Sequence, residues 1–235
     1  MELQYLNGHK NMIIVTGASR GIGQYIFNYF LNKKLDVIGI YNKTEIKQNL
    51  ANFVCLDLTD ENAIKKFVSS TKLSNIVLIN AAGITFASIA HKQSVQQFRN
   101  TLEVNSTAAF SIIKYLLPIM REQHYGRIIN ISSVVPQIGA PGNVAYAASK
   151  SALWGMSKVI AVENATKGIT SNCLNLGYCS LGMVKTIPAE VLNKIIETIP
   201  QKKLCEPYNI TNAIEFLISS DYVTGAEINI NGGLH

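Results

Sequence analysis

At 235 residues, the chain suits one large domain or two small ones and has ample length to bury a core. Apolar residues make up 48% and charged residues 15%, a balance that excludes an intrinsically disordered chain. No apolar run reaches the roughly 18 residues of a membrane span, and the net charge of +6 favours anionic partners such as dinucleotides, CoA or an acidic carrier protein.

The lysines are scattered, without a basic stripe interleaved with aromatics, so nucleic acid is not an expected partner. Cys55, Cys173, Cys179 and Cys205 form no C-x-x-C pair and no metal-ligand spacing. They read as reduced thiols in a cytoplasmic protein, with no metal. The opening M-E-L-Q-Y-L-N-G-H-K lacks a basic segment followed by an apolar one, so no secretory signal is expected.

From the N-terminus, residues 12–15 read as a short buried strand. The loop T-G-A-S-R-G-I-G (16–23) follows directly and opens a helix over 21–33. Gly17, Gly21 and Gly23 permit a tight turn and let a pyrophosphate approach the helix N-terminus, with Ser19, Arg20 and Ile22 completing the cradle. A second strand, 37–40, leads into Tyr41-Asn42-Lys43. An Asp or Glu there would bond the adenosine ribose hydroxyls. Arg20 and Lys43 with no carboxylate favour a 2′-phosphate, hence NADP(H) over NAD(H).

A third strand, 53–56, precedes Asp57-Leu58 and a helix over 61–70. A fourth, 76–79, ends in Asn80-Ala81-Ala82-Gly83. A long helical pattern over 98–123 carries Asn105. The fifth strand, 127–131, ends at Ser133, and a helix over 146–167 begins A-Y-A-A-S-K, just after Asn143. A strand near 170–174 leads to Leu176-Gly177-Tyr178. A helix over 210–219 and a strand over 227–230 close the chain. Continuous apolar strands alternating with helices predict an α/β fold of Rossmann type: a doubly wound, mostly parallel seven-stranded sheet with helices on both faces. No linker and no repeat interrupts it, so a single domain is expected over 1–235. The stretch 177–206 breaks the rhythm, carries its own helix at 189–198, and is expected to form a lid over a ligand site.

Tyr146 and Lys150 are four apart on one helix face, so phenol and ammonium reach toward one point. A carbonyl that accepts hydride needs a proton on its oxygen. A phenol with a pKa near 10 exchanges protons poorly at neutral pH, and a neighbouring cation lowers that pKa. The Ser133 hydroxyl can orient the carbonyl oxygen.

The ordered set T-G-A-S-R-G-I-G, D-L-T, N-A-A-G, Asn105, Ser133, Y-A-A-S-K and the final N-G-G resembles the short-chain dehydrogenase/reductase family over essentially the whole chain. The resemblance implies a catalytic set of Ser133, Tyr146, Lys150 and Asn105. Lys150 would also hold the nicotinamide ribose, and Asn105 would support a water that relays protons to it. The cofactor would rest on the glycine loop, Asn42, Lys43, Asp57, Leu58, residues 80–83, Tyr146, Lys150 and Gly177. The substrate would meet Ser133, Asn143, Tyr146 and Tyr178. Residues 182–200 and the N-G-G-L-H ending are similar to the 3-oxoacyl-acyl-carrier-protein and acetoacetyl-CoA reductases. That implies NADPH-dependent reduction of a 3-oxoacyl thioester, an acyl carrier protein or CoA as carrier, and a homotetramer built on helices 98–123 and 146–167. Alternatives are an oxidoreductase of the same fold acting on another ketone, secondary alcohol or sugar, and a nucleotide-binding protein without turnover. Two positions depart from the family pattern: Leu176 stands where Pro is common, and Leu181 where Thr is frequent.

Overall fold

A computed structural model describes residues 11–44, 46–182, 184 and 187–234, with the backbone of 5–6 and 9–10. Much of the opening decapeptide and residues 183, 185 and 186 of the expected lid lie outside the described residues.

Seven strands form one sheet: β1 (Met12–Thr16), β2 (Asp36–Tyr41), β3 (Phe53–Cys55), β4 (Ile76–Asn80), β5 (Gly126–Ser133), β6 (Ile169–Leu176) and β7 (Glu227–Ile230). Their order is β3-β2-β1-β4-β5-β6-β7, and every pairing is parallel. A separate two-stranded hairpin pairs Tyr5–Leu6 with His9–Lys10. The helices are α1 (Gly21–Asn32), α2 (Glu61–Ser70), α3 (Val95–Leu102), α4 (Ala108–Gln123), the single turn α5 (Val135–Ile138), α6 (Val144–Asn164), α7 (Ala189–Thr198) and α8 (Pro207–Ser219).

Alternate residues of each central strand feed opposite faces. Ile13, Val15, Val77 and Ile79 join a core with Ile26, Phe27 and Phe30 of α1 and Ile210, Ile214 and Leu217 of α8. Ile14, Ile76 and Leu78 join the other core with Ile64 of α2 and Ile112, Ile113 and Leu116 of α4. Burial on both faces is why these strands read as unbroken apolar runs rather than as alternating ones.

Local signals set the helix starts. Asp60 caps α2 by accepting from the N–H groups of Asn62 and Ala63 at 2.9 and 3.1 Å. Ser94 caps α3 through Gln97 N–H at 3.1 Å. Such caps satisfy donors that a helix start leaves unpaired. The expected long helix over 98–123 is two helices, α3 and α4, joined by a turn of π-helix at Glu103–Thr107. Strand order reverses between β1 and β4, so a crevice opens beyond their C-terminal ends, where ligands of open α/β sheets bind. Register puts Thr16 beside both Ile40 and Asn80, and Asn80 beside Asn130, at that edge.

Candidate active site

The glycine loop is clamped into the crevice from both sides. Ala18 N–H donates to the Ile40 carbonyl at 3.0 Å. Thr16 Oγ1 accepts from the N–H groups of Ala81 and Ala82, both at 3.1 Å. Gly17 has φ +66°, and a Cβ there would lie 2.7 Å from Ala82 Cα. A Cβ on Gly23 would lie 2.3 Å from the Gly17 carbonyl oxygen. The G-x-x-x-G-x-G spacing is therefore a packing requirement as well as a ligand feature. Arg20, exposed, is the N-cap residue of α1 and offers no side-chain bond to the first turn, which leaves the helix N-terminus without a side-chain cap. Ser19, Gly21 and Ile22 are half-buried beside it. Gly182 packs on Gly21: a Cβ on Gly21 would come 3.2 Å from Gly182 Cα. The start of the 177–206 stretch thus rests on the glycine loop.

Asn42, Lys43 and Asp57 meet on one rim. Asp57 Oδ1 accepts from the Thr59 N–H at 2.9 Å and from its hydroxyl at 2.7 Å. These bonds to Thr59 hold the Asp57 carboxyl below its ordinary value, helped by the Asn42 side chain and the Lys43 charge. Leu58 is buried behind them.

At the end of β4, Asn80 Nδ2 donates to Asn130 Oδ1 at 2.8 Å, and Asn130 Nδ2 to Ser157 Oγ at 2.8 Å. Asn80 Oδ1 is buried with no partner. A cavity of about 10 Å³ lies between Asn80, Asn105 and Lys150, roughly room for one water. Asn105 sits in the π turn, a helix irregularity common at functional sites. Its amide grips the loop after Gly83 twice: Oδ1 accepts from Ile84 N–H at 2.8 Å, and Nδ2 donates to the Ile84 carbonyl at 2.9 Å. Nδ2 also reaches Ser149 Oγ at 3.0 Å. A Cβ on Gly83 would sit 3.4 Å from Asn105 Oδ1 and 3.6 Å from Lys150 Nζ.

Ser133 ends β5, and its Oγ accepts from Val135 N–H at 3.2 Å. The Ser133 side chain lies near the Tyr146 phenol and favours its ionised form. Lys150 is buried, donates from Nζ to the Ile131 carbonyl at 2.7 Å, and stands 5.7 Å from the Tyr146 ring centre. Burial pushes the Lys150 ammonium down to about 8. Burial also raises the Tyr146 phenol, and the neighbouring Ser133 opposes that only in part. The expected lowering of the phenol by Lys150 is not what governs the chain by itself: the ammonium is turned to a carbonyl and is itself short of solvation.

Asn143 precedes α6 and is bridged to Ser88, whose N–H donates to the Gly142 carbonyl at 2.9 Å. Gly177 donates its N–H to the Ile230 carbonyl at 2.9 Å, and a Cβ there would lie 2.8 Å from Asn231 Cα. These contacts fix the turn that Pro rigidifies elsewhere, with Leu176 buried in the core and Leu181 packed against it. Tyr178 packs on Val134, Ile199 and Leu234.

The structure thus gathers Ser133, Tyr146, Lys150, Asn105 and residues 80–83 at one point, and Asn42, Lys43 and Asp57 at another. The sequence reading missed the supports: Thr16, Asn130, Ser149 and Trp154. Trp154 Nε1 donates to Ser132 Oγ at 2.9 Å and Asn175 Oδ1 at 2.8 Å, joining the ends of β5 and β6. Thr16 and Ser149 sit inside the quoted motifs; nothing in the sequence singles out the pairing of Trp154 with Asn175.

The side-chain-free cradle, the open N-terminus of α1 and the unpartnered Asn80 Oδ1 fit a dinucleotide. A doubly wound sheet with such a cradle and a Ser/Tyr/Lys set at its C-terminal edge defines a dinucleotide-dependent oxidoreductase. Residues 17–235 match the family described as "Enoyl-(Acyl carrier protein) reductase", and the chain belongs to the short-chain dehydrogenase/reductase family, whose members work with a nicotinamide cofactor. It is 34% identical to a 3-oxoacyl-[acyl-carrier-protein] reductase of Buchnera aphidicola, over 96% of this chain and 98% of that protein. It is 30% identical to the enzyme of that name from Escherichia coli, over 98% and 99%. An acetoacetyl-CoA reductase of Rhizobium meliloti is 40% identical over 67% of this chain and 66% of its own. Among the described residues, no helix is long and apolar enough to cross a membrane, and no group of three or more His, Cys, Asp or Glu could hold a metal.

Proposed function

We propose that the chain reduces a 3-oxoacyl thioester to the 3-hydroxyacyl thioester with NADPH. The observation that carries this reading is the convergence of Ser133 at the end of β5 and Tyr146 on α6, near enough that Ser133 affects the phenol, beside a buried Lys150; two hydroxyls so placed can grip one carbonyl oxygen. The bound cofactor supplies the hydride. Everything else belongs to the chain. Ser133 orients the ketone oxygen. Tyr146 donates the proton as negative charge develops there, and its raised pKa keeps it protonated at neutral pH. Lys150, one turn on, stabilises the phenolate left behind and holds the nicotinamide ribose. A water in the cavity between Asn80, Asn105 and Lys150 returns the proton. Ser19, Arg20 and Ile22 of the glycine loop, with Asp57, Leu58 and residues 80–83, hold the nucleotide. Asn143 and Tyr178 line the substrate side, and residues 177–206 act as a lid within a single catalytic domain.

The relatives named for 3-oxoacyl-carrier-protein and acetoacetyl-CoA substrates support the thioester class. The assembly proposed is a cytoplasmic homotetramer. Exposed Phe110 on α4 and Val159 and Val162 on α6 supply apolar surface for it. A ketone, secondary alcohol or sugar substrate is the alternative that a substrate panel separates.

Cofactor choice is testable on its own. Arg20 and Lys43 are both exposed at the crevice, where a 2′-phosphate would lie. The kcat/KM for NADPH is expected to exceed that for NADH by at least about tenfold, roughly 1.4 kcal/mol. The Arg20→Ala, Lys43→Ala double variant is expected to lose most of that ratio. Equal kinetics with both cofactors in the wild type would overturn the assignment of these two cations.

A further inference from the structure

Cys179 and Cys205 are paired across an isolated parallel bridge. The Cys205 N–H donates to the Tyr178 carbonyl at 2.8 Å, and the Ser180 N–H donates to the Cys205 carbonyl at 3.0 Å. The two residues are therefore in register, with side chains leaving the same face. Neighbouring strands run about 4.8 Å apart, inside the Cα separation of roughly 4.4–6.8 Å that a disulfide spans. Both thiols are free and each is the main influence on the other's proton affinity; the Cys205 thiol also donates to the Glu206 carbonyl at 3.4 Å. Cys179 is buried, while Cys205 is partly exposed. Their place in the fold is specific. Cys179 lies two residues beyond Gly177, just past the end of β6, and Cys205 closes the stretch that begins at Ser180.

We propose that Cys179 and Cys205 are a redox modification site: a small peroxide converts them to an intrachain disulfide that staples together the two ends of residues 180–204. The pair is prepared for this chemistry. The neighbouring Cys205 thiol, with the Leu181 and Ser180 N–H groups, pulls Cys179 down to about 7 against burial, and the proximity of Cys179 pushes Cys205 up. The shared proton stays on Cys205, and the Cys179 thiolate is the nucleophile. Its sulfur attacks one peroxide oxygen; the O–O bond breaks, one water leaves after protonation, and Cys179 becomes a sulfenic acid. The Cys205 sulfur then attacks the Cys179 sulfur. The S–O bond breaks, the hydroxyl leaves as a second water with the Cys205 proton, and the disulfide forms. Two thiols are oxidised and one peroxide is reduced to two waters. The other cysteines lack this arrangement. Burial pushes Cys173 up to about 11, and the exposed Cys55 bonds to the Asn42 carbonyl at 3.1 Å.

The test treats the reduced full chain with about one equivalent of hydrogen peroxide, blocks remaining thiols with iodoacetamide and maps the digest by mass spectrometry. The expected product is a cross-linked pair of peptides carrying Cys179 and Cys205, lighter by two hydrogens than the sum of the reduced peptides and separated again by dithiothreitol. In Cys205→Ser the reaction is expected to stop at a Cys179 sulfenic acid that dimedone traps. Wild-type protein that alkylates at both cysteines after peroxide, links between chains, or overoxidises either thiol without joining them would overturn the proposal. None of these readouts depends on substrate, cofactor or turnover.

Discussion

Tyr146→Phe is expected to lower kcat by about a thousandfold, within the range a positioned general acid contributes, while NADPH still binds. The substitution removes one oxygen and leaves the ring, whose packing in α6 and 5.7 Å approach to Lys150 Nζ are unchanged. Ser133 loses a neighbouring hydroxyl but keeps the bond from Val135 N–H, so the end of β5 holds its shape. Stopped-turnover kinetics and a cofactor titration check both halves. Near-wild-type kcat would remove Tyr146 from the acid role. Loss of cofactor binding with unchanged stability would assign it to binding alone.

Lys150→Met separates catalysis from stability. Its kcat/KM is expected to fall by at least about a hundredfold, because the phenolate loses its cation and the cofactor a ribose contact. Stability moves the other way near neutral pH. Burial lowers Lys150 from its ordinary 10.5 to about 8, and that shift corresponds to roughly 3 kcal/mol. Below pH 8 the side chain is charged in both folded and unfolded chains, and the folded state bears the whole cost. Between 8 and 10.5 the unfolded chain binds more protons, so stability climbs with pH. Above 10.5 the cost is gone. The Met variant escapes it at every pH but strands the Ile131 carbonyl that Lys150 now bonds at 2.7 Å, a loss of about 1–2 kcal/mol. At pH 7 the variant is expected to be more stable by about 1–2 kcal/mol, and less stable than wild type above pH 10.5. Urea unfolding at the two pH values reads this directly; a variant less stable at pH 7 would contradict the burial cost.

The sheet and its order of elements were legible because the inner strands are buried on both faces and read as runs such as Met12-Ile13-Ile14-Val15. Helix α2 lies where the sequence reading put it, over 61–70, and the structure adds the Asp60 cap at its start. The motif residues were legible as a set because the crevice collects strand C-termini. The π turn at Glu103–Thr107 was not. One extra residue in a helical pattern barely disturbs its apolar period, and the reason for the turn, the grip of Asn105 on Ile84, lies 21 residues away in sequence. The state of Tyr146 was also misjudged. Spacing on a helix says that Lys150 is near, but not that its ammonium faces a carbonyl or that the phenol is buried. Those are tertiary facts, as is the meeting of Cys179 with Cys205.

The most direct test of the thioester-reductase reading follows the nicotinamide absorbance of NADPH with purified chain and acetoacetyl-CoA, with crotonyl-CoA and a simple ketone in parallel. The account predicts rapid oxidation with acetoacetyl-CoA, formation of 3-hydroxybutyryl-CoA, and little turnover of the other two. Oxidation by crotonyl-CoA or the simple ketone with acetoacetyl-CoA inert would contradict it.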